Sequence, residues 1–197
     1  MTFNYNKWDT IYRKNPLKTL GWELGKPRPV LVELIEKNVI RKGKTLDVCC
    51  GAGTNSIYLA RNGFLVTAID ISPTAIRYAK KESAKEKLII DFTIQNFVNL
   101  SFIDDIFDFV FDMGCFHHVS IIDRLAFIEG INRVLKRNGF YLLTCFSNKN
   151  GPGWNHFTKK QLIQLFSKYF KIIKLHHYSS NEGDGIKRLF YTILMKK

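Results

Sequence analysis

The feature that most constrains the fold is an alternation of short, β-rich apolar runs with longer helical patterns along most of the chain. This alternation is typical of a mostly parallel sheet whose strands are joined by helices. The apolar runs predict seven strands, at residues 45–49, 64–70, 88–95, 107–112, 139–145, 171–178 and 189–196. Apolar residues at helical spacing predict five helices, near residues 29–38, 54–62, 73–85, 123–136 and 159–169.

Residues with special backbone preferences mark several element ends. Ser72 before Pro73 is a typical helix start, while Gly63 and Gly139 stand where a helix is expected to stop. The polar stretch 179–185, between the last two strands, favours a hairpin over a crossover helix. The sequence therefore predicts a doubly wound, Rossmann-like α/β fold: a seven-stranded, mostly parallel sheet with an antiparallel last strand and helices on both faces.

The length of 197 residues fits one domain better than two, and we assign that domain to residues 29–197. Residues 1–28 differ in composition, since they are rich in Tyr, Trp, Lys and Asn and end in a stiff Lys-Pro-Arg-Pro run. We expect this segment to form a lid. Trp8, Tyr12 and Trp22 within it fit equally well as packing residues that anchor a terminal helix.

The four cysteines do not form the pattern of a disulfide scaffold, and two of them are adjacent, where a bridge is strained. We therefore expect a reducing compartment and a cytoplasmic protein. The N-terminus lacks the pattern of a signal peptide, and no apolar run approaches the roughly 18 residues of a membrane span. No membrane partner is predicted, and a monomer and a homodimer both remain open.

The most informative stretch, residues 46–56, is a strand that runs into a turn of small residues and opens a helix. Gly51 and Gly53 let the backbone of this turn approach a ligand closely. Asp70 stands at the end of the next strand, where a carboxylate can accept hydrogen bonds from both hydroxyls of a ribose. The pattern predicts a cofactor that contains a nucleoside.

Two details indicate which cofactor this is. A dinucleotide fingerprint that begins at Gly51 needs glycine where this chain has Ser56, so a pyrophosphate is disfavoured. Asp47 lies inside the strand before the turn, where it would repel phosphates but suits a ligand with an ammonium group. S-adenosylmethionine has such a tail.

On these residues the sequence resembles the class I S-adenosylmethionine-dependent methyltransferases. Their motif Asp-x-Gly-x-Gly-x-Gly is met over residues 47–53, except that Cys49 replaces its first glycine. Segments 55–60, 188–194 and 21–27 are similar to small tellurite-resistance-type and type 11 small-molecule methyltransferases. The resemblance implies an enzyme that uses S-adenosylmethionine and releases S-adenosylhomocysteine.

The resemblance also implies a set of cofactor-binding residues. Asn96 takes the place of an acid that accepts a hydrogen bond from the adenine amino group, and Ile71 and Phe97 flank the adenine ring. The loop that begins at Met113 faces the sulfonium. The full set is Asp47, Cys49, Gly51, Gly53, Asp70, Ile71, Asn96, Phe97 and Met113, with Tyr12 and Trp22 from the lid. Core residues at strand ends are the alternative interpretation of Ile71, Asn96 and Phe97.

His117, after the fourth strand, is the candidate catalytic residue. Positioning and water exclusion supply most of the catalysis in an in-line methyl transfer. A thiol, selenol or oxyanion reacts as its anion, whereas a hydroxyl or a protonated amine needs a base such as His117. The alternative is that His117 only shapes the pocket. Trp154, His156 and Phe157 are candidate acceptor contacts, and a plain structural loop explains them equally well.

Several other activities remain as alternatives. Residues 112–115 lack the Pro-Pro motif of enzymes that methylate amino groups of nucleic-acid bases, so that chemistry is disfavoured. Cys115 and Cys145 faintly resemble the paired cysteines of RNA cytosine methyltransferases. A zinc site at the cysteines and histidines is a further alternative, although we predict no metal. A protein methyltransferase and a degenerate cofactor-binding protein also stay open.

The net charge of +13 raises the question of a nucleic-acid partner. The basic residues are scattered over predicted helices and turns without a stripe of interleaved aromatic residues, which favours a solvated basic surface. We therefore predict methylation of a small molecule, such as a thiol, a selenium or tellurium oxyanion, or a small metabolite. The charge leaves nucleic acid as an unfavoured but open alternative.

Overall fold

The computed structural model describes the backbone of residues 5–197 and the side chains of residues 7–197. Its helices are α1 (Tyr5–Lys14), α2 (Pro29–Glu36), α3 (Thr54–Arg61), α4 (Pro73–Lys85), α5 (Arg124–Val134) and α6 (Lys159–Phe166). Its strands are β1 (Lys44–Val48), β2 (Leu65–Asp70), β3 (Asp91–Ile94), β4 (Phe107–Met113), β5 (Leu135–Phe146), β6 (Lys171–Asn181) and β7 (Lys187–Lys196). None of the described helices is both long enough and apolar enough to span a membrane.

The strands form one sheet in the order β3-β2-β1-β4-β5-β7-β6. Strands β1 to β5 pair in parallel, while β7 lies antiparallel to both β5 and β6. The predicted seven strands and the reversed last strand are therefore confirmed. The strand order reverses between β1 and β4, and ligands of open α/β sheets bind outside the carboxyl ends of the strands at such a point.

Helices cover both faces of the sheet, as predicted. Along β4 the side chains alternate between the faces, because successive residues of a strand point to opposite sides. Phe109 and Phe111 lie in a buried cluster with Leu31 of α2 and Leu59 of α3. Val110 lies in a second cluster, which contains the buried residues of α5 and α6.

Two of the predicted helix ends are confirmed and one is wrong. Ser72 caps α4, since its Oγ accepts a hydrogen bond from the Ala75 N–H, and Gly63 follows α3 with a φ of 83°. Gly139 does not end a helix, because α5 stops before β5 begins at Leu135. A Cβ on Gly139 would lie 2.8 Å from Leu135 Cδ1, so glycine is required by close packing within an irregular part of β5.

The N-terminal segment is attached at the start of α4. Asp9, on α1, accepts hydrogen bonds from the Ser72 hydroxyl and the Thr74 N–H, both at 2.9 Å. Tyr12 is buried in a small cluster between α1 and α4. The anchoring interpretation of this segment is consistent with these contacts, while its action as a lid stays a prediction. The first part of the proposed lid, residues 1–4, lies outside the described residues.

The cysteines were not expected to form a disulfide scaffold, but two of them that are far apart in the sequence are bridged. The structure joins Cys49 to Cys115 in a disulfide, with their Cα atoms 5.7 Å apart. The two residues are separated by 66 positions, but they follow the carboxyl ends of the adjacent strands β1 and β4. Their proximity is a consequence of strand order, which cysteine spacing does not reveal. Cys50 and Cys145 are buried free thiols.

Candidate cofactor and acceptor site

Two cavities lie at the carboxyl ends of β1, β2 and β4, where the strand order reverses. The larger, of about 150 Å³, is mainly apolar, and the smaller is polar. The larger cavity is lined by the predicted site residues Tyr12, Trp22, Cys49, Asp70, Ile71, Phe97, Met113 and His117. The smaller is lined by Asp47 and Gly51 and shares Trp22, Cys49 and Met113 with the larger. The structure therefore brings most of the predicted residues together.

The turn after β1 presents its backbone to two carboxyl groups. Gly51 adopts a φ of 57°, and its N–H donates a hydrogen bond to Asp70 Oδ2 at 2.9 Å. The Ala52 N–H donates to Glu23 Oε1, also at 2.9 Å. A Cβ on Gly51 would lie 2.5 Å from Glu23 Oε1 and 2.7 Å from the Tyr12 hydroxyl, so only glycine fits here.

Three carboxyl groups surround this turn, and we call them the acid wall: Asp47 and Asp70, which are buried, and Glu23, which is partly buried. Burial raises the pKa of Asp47 to about 7 and that of Asp70 to about 6, and it also raises the pKa of Glu23. Ser56 Oγ donates a hydrogen bond to Asp47 at 2.6 Å, which opposes part of this effect. A cation among these groups would offset the free-energy cost of ionising them.

The smaller cavity fits the amino-acid end of S-adenosylmethionine better than it fits a phosphate. Glu23 and Asp47 line it and attract an ammonium group, while Lys26 and Arg28 also line it and suit the carboxylate of the same amino-acid end. Thr54 and Asn55 add polar atoms from the start of α3. Asp70 lines the adjacent larger cavity at the end of β2. The carboxylates around the two cavities therefore match a cofactor that has ribose hydroxyls and a cationic tail.

Gly53 and Asn96 line neither cavity. Gly53 adopts a φ of 85° at the start of α3, and a Cβ there would lie 2.8 Å from Ala79 Cβ on α4. Contact between two helices therefore explains this glycine. Asn96 Oδ1 accepts a hydrogen bond from the Val98 N–H at 2.9 Å, which holds the local turn. The cofactor-binding roles of Gly53 and Asn96 stay predictions.

The other side of the larger cavity is formed by rings, and we call this set the aromatic wall: Trp8, Trp22, His117, His118, Phe146 and Phe190. Trp8 packs edge-on against Trp22 at 5.5 Å and against His118 at 4.7 Å. His117 stacks on Phe146 at 3.9 Å. Enclosed cavities with rings on one side suit ligands that are flat and apolar.

His117 has a defined orientation in this wall. Its Nδ1 accepts a hydrogen bond from the Phe146 backbone N–H at 3.3 Å, and only 3% of the residue is exposed. Burial lowers the pKa of His117 well below its usual value, and His118 and His156 lower it further. Burial also lowers the pKa of His118 to about 4. Both side chains are therefore uncharged near neutral pH.

Asp112 positions the loop that carries His117. Its Oδ1 accepts a hydrogen bond from the Cys115 N–H at 2.7 Å, and its Oδ2 accepts one from the Tyr141 hydroxyl at 3.1 Å. Burial raises the pKa of Asp112 to about 7. Sequence analysis did not select Asp112 as a site residue, although an acid at the end of a central strand is a signal that could have found it.

A buried ion pair borders the larger cavity on the side of the β6–β7 hairpin. The Arg28 guanidinium donates two hydrogen bonds of 2.8 Å to the Glu182 carboxylate. The Gly183 N–H donates to the Gly21 carbonyl oxygen at 2.7 Å, so the hairpin touches the segment before α2. Arg28 and Glu182 are separated by 154 positions, and sequence analysis missed them because nothing local indicates that they meet.

The loop after β5 contributes less than its composition suggests. Trp154 is 57% exposed, and Phe157 is buried in the core, where it stacks on Phe116. His156 contacts Phe146 from behind the aromatic wall, at a ring distance of 5.6 Å. None of the three candidate contacts in this loop lines either cavity.

Comparison with known proteins places the central part of the chain in a described family. Residues 45–139 match a family described as a methyltransferase domain. The chain is 28% identical over 156 residues to 2-heptyl-1-hydroxyquinolin-4(1H)-one methyltransferase of Mycobacteroides abscessus, a match that covers 77% of this chain and 68% of that protein. It is 29% identical over 184 residues to EEF1A lysine methyltransferase 2 of Homo sapiens, covering 85% of this chain and 74% of that protein.

Solved structures show the same fold. A structure from work on the conversion of a disulfide bond into a thioacetal group during echinomycin biosynthesis has a TM-score of 0.88 at 20% identity, covering 99% of this chain and 92% of that chain. TehB from Haemophilus influenzae has a TM-score of 0.73 at 21% identity, and the match covers 89% of this chain and 64% of TehB. The N-methyltransferase NodS from Bradyrhizobium japonicum was solved with S-adenosyl-L-homocysteine. It has a TM-score of 0.72 at 16% identity, and the match covers 93% of this chain and 89% of NodS.

Proposed function

The chain is a class I S-adenosylmethionine-dependent methyltransferase, and we propose that it methylates a small molecule with a planar, mainly apolar body. The observation that carries this proposal is the composition of the larger cavity. It contains Asp70, Ile71 and Phe97, which we assign to the cofactor, together with the aromatic wall. An acceptor that lies against those rings is therefore adjacent to the cofactor.

The acid wall holds the cofactor in this proposal. Asp70 accepts hydrogen bonds from the ribose, and Glu23 and Asp47 attract the ammonium group of the methionine part. Ile71 and Phe97 flank the adenine, as the family resemblance implies. When bound, S-adenosylmethionine supplies a methyl group on a sulfonium; the acceptor's lone pair bonds to that carbon, and the pair of the broken carbon–sulfur bond stays on sulfur.

The chain's own residues contribute binding, orientation and exclusion of water. The aromatic wall removes water from the acceptor, which strengthens electrostatic interactions within the cavity. Arg28 and Glu182 hold the hairpin against the N-terminal segment and so keep this side of the cavity formed. These residues place the acceptor atom next to the methyl group, and such placement supplies most of the catalysis in a displacement with a good leaving group.

The relatives support a small acceptor and leave a second candidate. One relative is named for its action on 2-heptyl-1-hydroxyquinolin-4(1H)-one, a name that denotes a planar ring system of the kind we propose for the acceptor. Another is named a lysine methyltransferase, so a protein acceptor is the second candidate. The small size of the larger cavity, about 150 Å³, and its aromatic lining favour the small molecule. The cytoplasmic location and the choice between monomer and homodimer stay predictions.

The test is methyl transfer from radiolabelled S-adenosylmethionine to a panel of acceptors. The panel contains planar hydroxylated aromatic compounds, thiols, selenite, tellurite, small amines, total RNA and total protein. We expect the label to appear in a small planar compound. Label in RNA or protein, with none in any small molecule, would overturn the proposed acceptor. Tight binding of NADH in place of S-adenosylhomocysteine would overturn the assignment of the cofactor.

A further inference from the structure

We propose that His117 donates a hydrogen bond from Nε2 to the acceptor instead of removing its proton, and that the acceptor is an acidic hydroxyl group on a planar ring, bound as its anion. This inference rests on the proposed function, because it concerns the acceptor of the same methyl transfer. It differs from the sequence-based prediction, in which His117 is the candidate base for an acceptor that needs one.

The first step is the tautomer of His117. A backbone N–H can only donate, so the hydrogen bond from Phe146 requires a lone pair on His117 Nδ1. A neutral imidazole carries one proton, which must then be on Nε2. Within the described residues no hydrogen bond to Nε2 is found, and the His117 side chain lines the larger cavity. We assign this donor to what the cavity holds.

The second step is that the ring cannot easily exchange this tautomer for the other. His117 is stacked on Phe146, and a Cβ on Gly114 would lie 3.2 Å from its Cε1, so packing restrains the ring on two sides. Moving the proton to Nδ1 would leave the Phe146 N–H without its acceptor in a partly buried place, which carries a cost in free energy. A base at Nε2 would require that exchange.

The third step concerns the charged and titratable groups that face His117. They are His118 in its own turn, His156 from the loop after β5, Lys7 from α1 beyond His118, Asp70 in the lining of the same cavity, and the pairs Arg28–Glu182 and Arg188–Asp184, which also line it. Asp112, under the loop, is bonded to the backbone and to Tyr141. None of these carboxylates hydrogen bonds to the His117 ring in the described structure, so the arrangement that orients a general base and stabilises its protonated form is missing.

The consequence is a restriction on the acceptor. If no side chain removes the proton, only a hydroxyl acidic enough to ionise by itself presents a nucleophilic oxygen at working pH. A neutral Nε2–H is a good donor to such an oxyanion once the bound acceptor has displaced water from this part of the cavity. Because the oxygen loses its charge as the methyl group arrives, the hydrogen bond weakens during the reaction, and His117 acts on binding and orientation more than on the chemical step.

The experiment compares His117→Phe and His117→Gln with the unchanged enzyme, using 4-nitrophenol as the acidic hydroxyl and phenol as the weak one. His117→Phe removes the donor, and we expect a rise in the acceptor KM of roughly 10- to 100-fold with kcat within about threefold. His117→Gln keeps one donor and one acceptor, and we expect it to restore most of the loss. His176→Phe, on β6 and away from both cavities, is the matched control.

A general base gives a different pattern, in which both variants lose about 10²- to 10⁴-fold in kcat. The pH profile separates the two roles as well. If His117 is a donor, kcat/KM rises with pH and levels off at the pKa of the acceptor, so the rising part of the profile lies at a different pH for 4-nitrophenol and for phenol. If His117 is a base, the rising part, or limb, reflects the pKa of the enzyme and disappears in His117→Phe. A limb that does not move with the acceptor and that disappears in His117→Phe overturns the inference, whereas a fixed limb that persists in His117→Phe belongs to the acid wall or Asp112.

Binding gives a readout that is independent of turnover. Trp8 and Trp22 line the cavity, so quenching of tryptophan fluorescence in the presence of S-adenosylhomocysteine reports the acceptor Kd. We expect His117→Phe to weaken 4-nitrophenolate binding and to leave S-adenosylhomocysteine binding unchanged. Turnover of thiols or amines with none of the phenols would refute the acidic hydroxyl while leaving the proposed function in place. Failure of every small acceptor would refute the proposed function itself.

Discussion

The acid wall and the aromatic wall meet in one site, and burial affects them in opposite ways. Burial disfavours the charged form of any group, so it raises the pKa of Asp47 and Asp70 and lowers that of His117 and His118. The acid wall therefore gains from a bound cation, whereas the aromatic wall remains uncharged and receives an apolar body. One buried site thus serves two ligands because the ionisable groups on its two sides differ in the sign of their charge.

The ion pair of Arg28 and Glu182, beside the aromatic wall, gives the largest expected effect. Its removal tests whether the two walls depend on a common support. Arg28→Met leaves a buried carboxylate without its partner, so we expect a loss of about 3–5 kcal/mol in the free energy of unfolding. Urea unfolding of the ligand-free protein measures it.

The matched control for this change is the double variant Arg28→Met with Glu182→Leu. Replacement of both charges by apolar groups of similar size is often close to neutral, so we expect the double variant to recover most of the lost stability. A single variant that loses less than about 1 kcal/mol would mean that water reaches the pair and that it does not support the cavity.

The second largest expected effect is on cofactor binding, which we assign to the acid wall and not to the aromatic wall. Asp70→Ala removes a carboxylate that accepts from Gly51 and, by proposal, from the ribose, and we expect a loss of at least about 100-fold in the affinity for S-adenosylhomocysteine. Asp91→Ala, on the neighbouring strand β3 and exposed, is the matched control. Isothermal titration measures both. A loss of less than about threefold in Asp70→Ala would remove Asp70 from the cofactor site.

Each wall could be predicted from the sequence only in part: Asp47 and Asp70 of the acid wall were selected, and so were Trp22 and His117 of the aromatic wall, but the other members were not. Asp47 and Asp70 are fixed by local pattern, since each lies at the carboxyl end of a strand whose apolar run is visible in the sequence. Trp8, Phe146 and Phe190 lie on α1, β5 and β7, and they meet only because the hairpin and the N-terminal segment fold over the sheet edge. Contacts of that kind depend on tertiary packing.

Glu23 and Gly139 show the same limit of sequence-based prediction, which does not find contacts that depend on tertiary packing. Glu23 lies in a segment that resembled the family, yet its hydrogen bond to the turn spans 29 positions and carries no local signal. At Gly139 local reasoning favoured a helix end, whereas contact with Leu135 within β5 determines the residue. The number of strands and their mostly parallel pairing followed from periodicity because a parallel sheet repeats one unit, while side-chain contacts between units do not repeat.

A smaller effect is expected on the aromatic wall. Phe146→Ala removes a ring that lines the cavity and stacks on His117, so we expect the acceptor KM to rise about tenfold, the equivalent of about 1.4 kcal/mol. The Kd of S-adenosylhomocysteine should stay within about twofold. Steady-state kinetics and titration measure the two, with exposed Trp154→Ala as the control. A variant that weakens cofactor binding more than acceptor binding would show that the walls are not separate in function.

The smallest effect tests the opposite signs directly, through the pH dependence of folding. Asp47 has a pKa of about 7 when folded against 3.8 as its ordinary value, so the folded protein loses stability from this group as pH rises from about 4 to about 7. His118 has a pKa of about 4 when folded against 6.5, so its contribution is lost as pH falls from about 6.5 to about 4.

Asp47→Asn and His118→Asn each remove one of these contributions. Both side chains line cavities that admit water, so we expect less than the full effect of burial, about 1 kcal/mol each. Between about pH 5 and about pH 7.5, Asp47→Asn should gain stability relative to the unchanged protein, and His118→Asn should lose it. Urea unfolding at the two pH values measures both differences. If the free energy of unfolding of both variants, relative to the unchanged protein, changes in the same direction between the two pH values, the two walls do not differ in the sign of their buried charge. The distinction on which the acceptor and cofactor assignments depend then fails.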